Sequence, residues 1–111
     1  MKVSVAELMR RLPGPVTAQW PQGERFAEAL RHGSMSVELY APVGSDPQAP
    51  HTQDELYFIH SGSGTFQLDG VAHEFEPGDC FFVAAGVEHR FIAFTPGFAA
   101  WVVFWGPEGG E

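Results

Sequence analysis

Apolar residues recur at helical spacing in only one place, the start of the chain. In SVAELMRRL, Val5, Leu8, Met9 and Leu12 share a helical face, and Ser4 followed three residues later by Glu7 forms a capping-box pattern. Pro13, Gly14 and Pro15 stop the helix. The rhythm then becomes that of strands. RFAEALRHGSMSVELYAP reads as two strands around a His32-Gly33 turn, and PVGSDPQAP reads as a loop. ELYFIHSGSGTFQLDG is a second hairpin, turning at Ser61 to Gly64, with Asp69-Gly70 opening the next turn. VAHEFEPGD gives a short strand and a turn at Pro77-Gly78. CFFVAAG and HRFIAF are strands separated at Gly86, and FAAWVVFWG is the last strand. Eight or nine short strands, with turn signals every eight to twelve residues, predict an all-β antiparallel sandwich or barrel with a short N-terminal helix.

Alternation fails in CFFV and AAWVVFW, which are apolar on both faces. Strands of that kind must be covered on both sides. In a chain of 111 residues, expected to form one domain, the second cover is expected from another copy of the chain. We therefore expect a homodimer that buries part of Phe98–Trp105, with the N-terminal helix as the alternative cover.

Composition narrows the function. Hydrophobic residues make up 44% and charged residues 18%, enough for a packed core. A net charge of -8 opposes binding to nucleic acid and to anionic membranes. The lone cysteine, Cys80, permits no internal disulfide and reads as a small buried hydrophobe. The first residues lack the apolar core and cleavage site of a signal peptide, and the longest apolar run, Phe98 to Trp105, is too short to span a bilayer. A cytoplasmic location is expected.

PHTQDELYFIHSGSG concentrates polar groups just before an apolar strand. On a straight strand His51 and Glu55 would lie ~13 Å apart, so they converge only if the chain turns at Thr52-Gln53-Asp54. Glu55 would then point inward with Tyr57 and Ile59, while Asp54 reads as an ordinary strand-edge acid. His89, after the turn at Gly86, continues inward as Phe91 and Ala93. An inward glutamate and an inward histidine each need a partner, and a divalent metal satisfies both. Two His and one carboxylate leave coordination positions open, an arrangement typical of non-heme iron and acceptable to Mn, Ni, Co or Zn. His60 falls on the opposite face, and His32 and His73 read as surface residues. Small-barrel cavities are mostly apolar, so Tyr57, Phe82, Phe91 and Trp101 are candidate pocket walls.

PHTQDELYFIHSGSG followed by GDCFFVAAGVEHRF resembles the two motifs of the cupin superfamily in its small single-domain bacterial form. Glu55, six residues and Gly62 match the end of the first motif, and His51 occupies its second His position. The first His position holds Ala49. Gly78, Gly86 and His89 match the second motif, whose Pro and Asn positions hold Ala84 and Ala93. The resemblance covers residues 33 to 105, with residues 1 to 15 as helix and linker. It implies a double-stranded β-helix, or jelly-roll barrel, with His51, Glu55 and His89 as metal ligands and Gln53 as the nearest substitute for the missing His. It also implies a small organic ligand and a metal-dependent oxygenase, isomerase or decarboxylase. The alternatives are a non-catalytic metabolite-binding or sensing module, with or without metal, and a metal-free isomerase using His51 or His89 as base.

Overall fold

The alternating segments resolve into two antiparallel sheets in a computed structural model that describes residues 1–111. The strands are β1 (Phe26–His32), β2 (Met35–Tyr40), β3 (Asp54–Ser61), β4 (Gly64–Leu68), β5 (Val71–Phe75), β6 (Cys80–Val83), β7 (His89–Phe94) and β8 (Ala99–Trp105). One sheet has the order β1-β2-β8-β3-β6 and the other β5-β4-β7. The two face each other as a jelly-roll barrel.

Local chemistry explains the turns. Asp69 and Gly70 both have positive φ, at 48° and 80°, the requirement of a tight two-residue hairpin, and Leu68 pairs with Val71 across it. Gly64 is needed for a different reason. A Cβ there would meet the Ala93 carbonyl oxygen at 2.0 Å, so only glycine lets β4 approach β7 this closely.

The interior is aromatic. Phe66, Phe75, Phe91 and Phe98 pack with Tyr40, Tyr57, Ile59, Val83, Ala100 and Val102, drawn from both sheets. The Phe66 and Phe91 rings lie 4.5 Å apart between centroids, and Phe91 and Phe98 lie 4.7 Å apart. Full burial of each such side chain contributes roughly 2–3 kcal/mol.

The helix is shorter than its apolar pattern predicts. It spans α1 (Val5–Met9), with the Glu7 amide donating to Ser4 Oγ at 3.1 Å. Its Leu8 is buried against Ala27, Leu39, Ala41 and Ala99, with Trp101 packed alongside. The helix thus covers part of the outer face of the larger sheet. Phe58 and Phe82, farther across that face, remain exposed. No helix is long and apolar enough to cross a membrane.

Candidate metal centre

Two strands and one loop bring the predicted ligands together. Glu55, the second residue of β3, lies between Val83 of β6 and Phe104 of β8, and its side chain is 1% exposed. His89 is the first residue of β7 and is buried. His51 precedes β3 across a bend at Thr52 and Gln53, so it converges on Glu55 as expected, and the Gly86 amide donates to the His51 carbonyl at 2.7 Å. That bond fastens the His51 loop to the turn that leads into His89.

Asp54 stabilises the same junction. Its carboxylate accepts from the Ala85 amide at 2.9 Å and the Glu111 amide at 3.1 Å. These two backbone bonds hold its pKa below the usual carboxylate value. It is buried, so it is not the ordinary strand-edge acid that its neighbours suggest.

The ligand atoms of His51, Glu55 and His89 all lie within 4.8 Å of one another. His89 Nε2 is 3.0 Å from Glu55 Oε1, and His51 Nε2 is 3.7 Å from Glu55 Oε2. Both carboxylate oxygens and His89 Nε2 are buried without a hydrogen-bond partner. His89 Nδ1 lies 2.8 Å from the Val87 carbonyl. Donation to that carbonyl puts the proton on Nδ1 and leaves the Nε2 lone pair facing Glu55. A lone pair opposite a buried carboxylate is repulsive unless a cation or proton lies between them.

Protonation follows from these contacts. Burial pushes the His89 pKa down, but the Glu55 contact, the Val87 carbonyl and the charges of Glu55 and Asp46 raise it overall. For His51, burial is the largest effect and lowers the pKa despite Glu55, which favours a neutral ligating imidazole.

A buried polar chain in the Pro-rich loop supports His51. The Asp46 carboxylate accepts from Tyr40 Oη, from the Phe91 amide at 2.9 Å and from Gln48 Nε2 at 2.6 Å. With its amide nitrogen so engaged, Gln48 turns Oε1 toward Tyr57 Oη at 2.8 Å and His51 Nε2 at 3.4 Å. Asp46 and Gln48 were not legible as site residues, because polar residues among prolines and glycines look like solvated loop.

Gln53 is placed elsewhere. Its amide donates to the carbonyls of Ser34 at 3.0 Å and Gly106 at 2.9 Å, so it fastens loops and does not substitute for the missing His. Gln48 is the amide beside the imidazole.

The site opens into a cavity of about 410 Å³ walled by Trp20, Phe26, Tyr57 and Phe104, with Glu38 also in its lining. Tyr57 is the one expected wall residue that lines it. Phe82 is 54% exposed on the outer face, because Phe81 and Val83 take the inward positions of β6. Trp101 packs outside near the helix, since Ala100, Val102 and Phe104 face inward on β8. Phe91 is inward but enclosed within the phenylalanine core. Cys80 is exposed, not buried, for the same pleat reason as Phe82. His32, His60 and His73 are exposed, as expected.

The cupin-domain family profile matches residues 36–105, which span both histidines, Glu55 and the strands that hold them. The chain belongs to the cupin family. An uncharacterised protein of Streptomyces coelicolor is 38% identical over 85 residues, covering 75% of this cupin and 81% of the relative. Among solved structures, a proposed mannose-6-phosphate isomerase of Ralstonia eutropha JMP134 matches with a TM-score of 0.61 at 25% identity, covering 86% of this chain and 94% of that one. KdgF from Halomonas sp. matches with a TM-score of 0.65 at 15% identity, covering 75% and 78%. A cupin barrel-domain protein of Salinispora arenicola matches with a TM-score of 0.58 at 18% identity, covering 73% and 74%. The last two likenesses concern the fold alone.

Proposed function

We propose that this cupin binds one divalent metal ion through His51, Glu55 and His89 and a small organic molecule in the adjoining cavity. The observation that carries this reading is the pair of buried, unpartnered Glu55 oxygens facing two imidazole nitrogens. The donor set, two imidazoles and one carboxylate, suits Fe, Mn, Ni, Co or Zn. A bound ion would supply Lewis-acid or redox chemistry, as in an oxygenase, isomerase or decarboxylase.

The chain's own residues have separate tasks. Val87 fixes the His89 tautomer, and Trp20, Phe26 and Phe104 exclude water from the ligand. Metal content of the purified protein tests the reading. One ion per chain is expected, falling below a tenth in Glu55→Gln and His89→Ala. Unchanged content in those variants would show that the ligand set is wrong. Turnover of a substrate panel in air, with and without added Fe(II), separates an enzyme from a binding module.

The reading extends to assembly and location. Phe58, 44% exposed, and Phe82 lie on the outer face beyond the helix, where β6 is the sheet edge. A second copy of the chain, presenting the same apolar patch about a two-fold axis, would cover them. Light scattering at micromolar concentration should give the dimer mass, and Phe82→Lys should give the monomer. A cytoplasmic location accords with the free, exposed Cys80 thiol.

A further inference from the structure

Ser36, Glu38 and Tyr40 form the inward face of β2. Glu38 lies opposite Glu28 of β1 and Val102 of β8. Its carboxyl borders the 410 Å³ cavity, yet none of the protein's ion pairs includes it. Glu55 occupies the same cavity two strands away, with backbone separation on the order of 10 Å. Val102 and Phe104 of β8 lie between them, and Trp20 and Phe26 add aromatic rings to the same cavity lining. No lysine or arginine lines this cavity. Arg90 lies in a different, more polar hollow beside the loop at residues 47 to 50.

The surrounding charges have one dominant sign. Glu55 faces Glu38 from β3, Glu28 from β1 and Glu24 from the segment before it, while Arg31 alone opposes them. Arg31 is already paired with Glu28 at 2.7 Å. Burial, followed by repulsion from Glu55, pushes the Glu38 pKa up to about 7. Glu38 thus has no ion-pair partner of its own, and no basic side chain lines its cavity. A protonated amine supplies such a partner, and it gains again from the negative faces of adjacent aromatic rings. A phosphate or dicarboxylate would meet two glutamates with no basic side chain to offset them.

We propose that the cavity takes a small ligand carrying a protonated amine, with the ammonium against Glu38 and the body of the molecule along Trp20, Phe26 and Phe104. The far end of the ligand then reaches the His51-Glu55-His89 group. Only that last contact rests on the metal-binding reading; the amine preference depends on Glu38 and the aromatic wall.

An isosteric charge series tests it. The full chain, loaded with Zn(II) at pH 8, is titrated calorimetrically with benzylamine, benzyl alcohol and benzoate. Benzylamine should bind about tenfold more tightly than benzyl alcohol, in line with one desolvated charge contact over an aromatic face, and benzoate should bind most weakly. Glu38→Gln should bring benzylamine to within about threefold of benzyl alcohol while zinc content stays unchanged. The series repeated on metal-free protein should keep the same order, which separates this proposal from failure of the metal site. Equal binding of the three probes, preference for benzoate, no binding by any of them, or an amine preference that survives Glu38→Gln would each overturn it.

Discussion

The barrel interior has two ends built from the same alternating strands. At one end Phe66, Phe75, Phe91 and Phe98 fill the space between the sheets with rings 4.5 to 5.5 Å apart. At the other, Glu38, Glu55 and His51 border an open cavity, with His89 grouped beside Glu55 and His51. The aromatic end gains free energy from apolar burial. The polar end costs free energy, because it holds a buried carboxylate whose oxygens have no protein hydrogen bond. Apolar burial at the phenylalanine end thus offsets the cost of the unpartnered polar groups at the other.

The contrast is broken most strongly at the phenylalanine end. Phe91 touches both sheets and is 1% exposed, so Phe91→Ala should cost about 3–5 kcal/mol in urea denaturation. Glu55→Gln should do the reverse: metal uptake is lost, while the metal-free protein keeps or gains stability because a buried charge is gone. A metal-free Glu55→Gln protein destabilised as much as Phe91→Ala would erase the distinction between the two ends.

Asp46 lies between the two regions, bonded to Phe91 on one side and to Gln48, and through it His51, on the other. Asp46→Asn keeps the shape but removes the charge that three kinds of donor share. It should cost about 2 kcal/mol and weaken metal binding roughly tenfold, read by denaturation and metal titration. Loss of stability without loss of metal affinity would confine Asp46 to the core.

A smaller effect is expected from pH. The His89 pKa is raised above its ordinary 6.5 in the folded, metal-free protein. A raised pKa means that the proton stabilises the fold fully below the unfolded value and that this contribution is lost as pH rises through the folded value. The melting temperature of metal-free protein should therefore fall above about pH 6.5, apart from other titrations. His89→Gln should flatten that fall, and saturating metal should abolish it, since metal replaces the proton. The smallest effect is predicted for Gln53→Ala. It should leave metal affinity unchanged and cost under about 1 kcal/mol, because its bonds to Ser34 and Gly106 lie at the partly exposed periphery.

The strands were legible because turns announce themselves: Asp69-Gly70, Pro77-Gly78 and Gly86 each end a run of alternating or apolar residues. His51, Glu55 and His89 were legible through motif spacing and through the turn that Thr52-Gln53-Asp54 makes possible. Glu38 was not, and the reason is physical. In MSVELY the polar face, Ser36, Glu38 and Tyr40, looks like the solvent face, but at this end the barrel interior is itself polar. Phe82 and Trp101 were misplaced because strands apolar on both faces carry no polarity signal to show which face is inward. The exposure of Phe82 and the packing of Trp101 near Leu8 reflect the pleat, which fixes Val83 and Val102 inside.

Anomalous diffraction from crystals of the metal-loaded protein locates the ion. A single peak about 2.0–2.3 Å from His51 Nε2, His89 Nε2 and a Glu55 oxygen is predicted. A map with no peak there after metal loading, or an ion bound elsewhere with Glu55 and His89 joined only to each other, would contradict it.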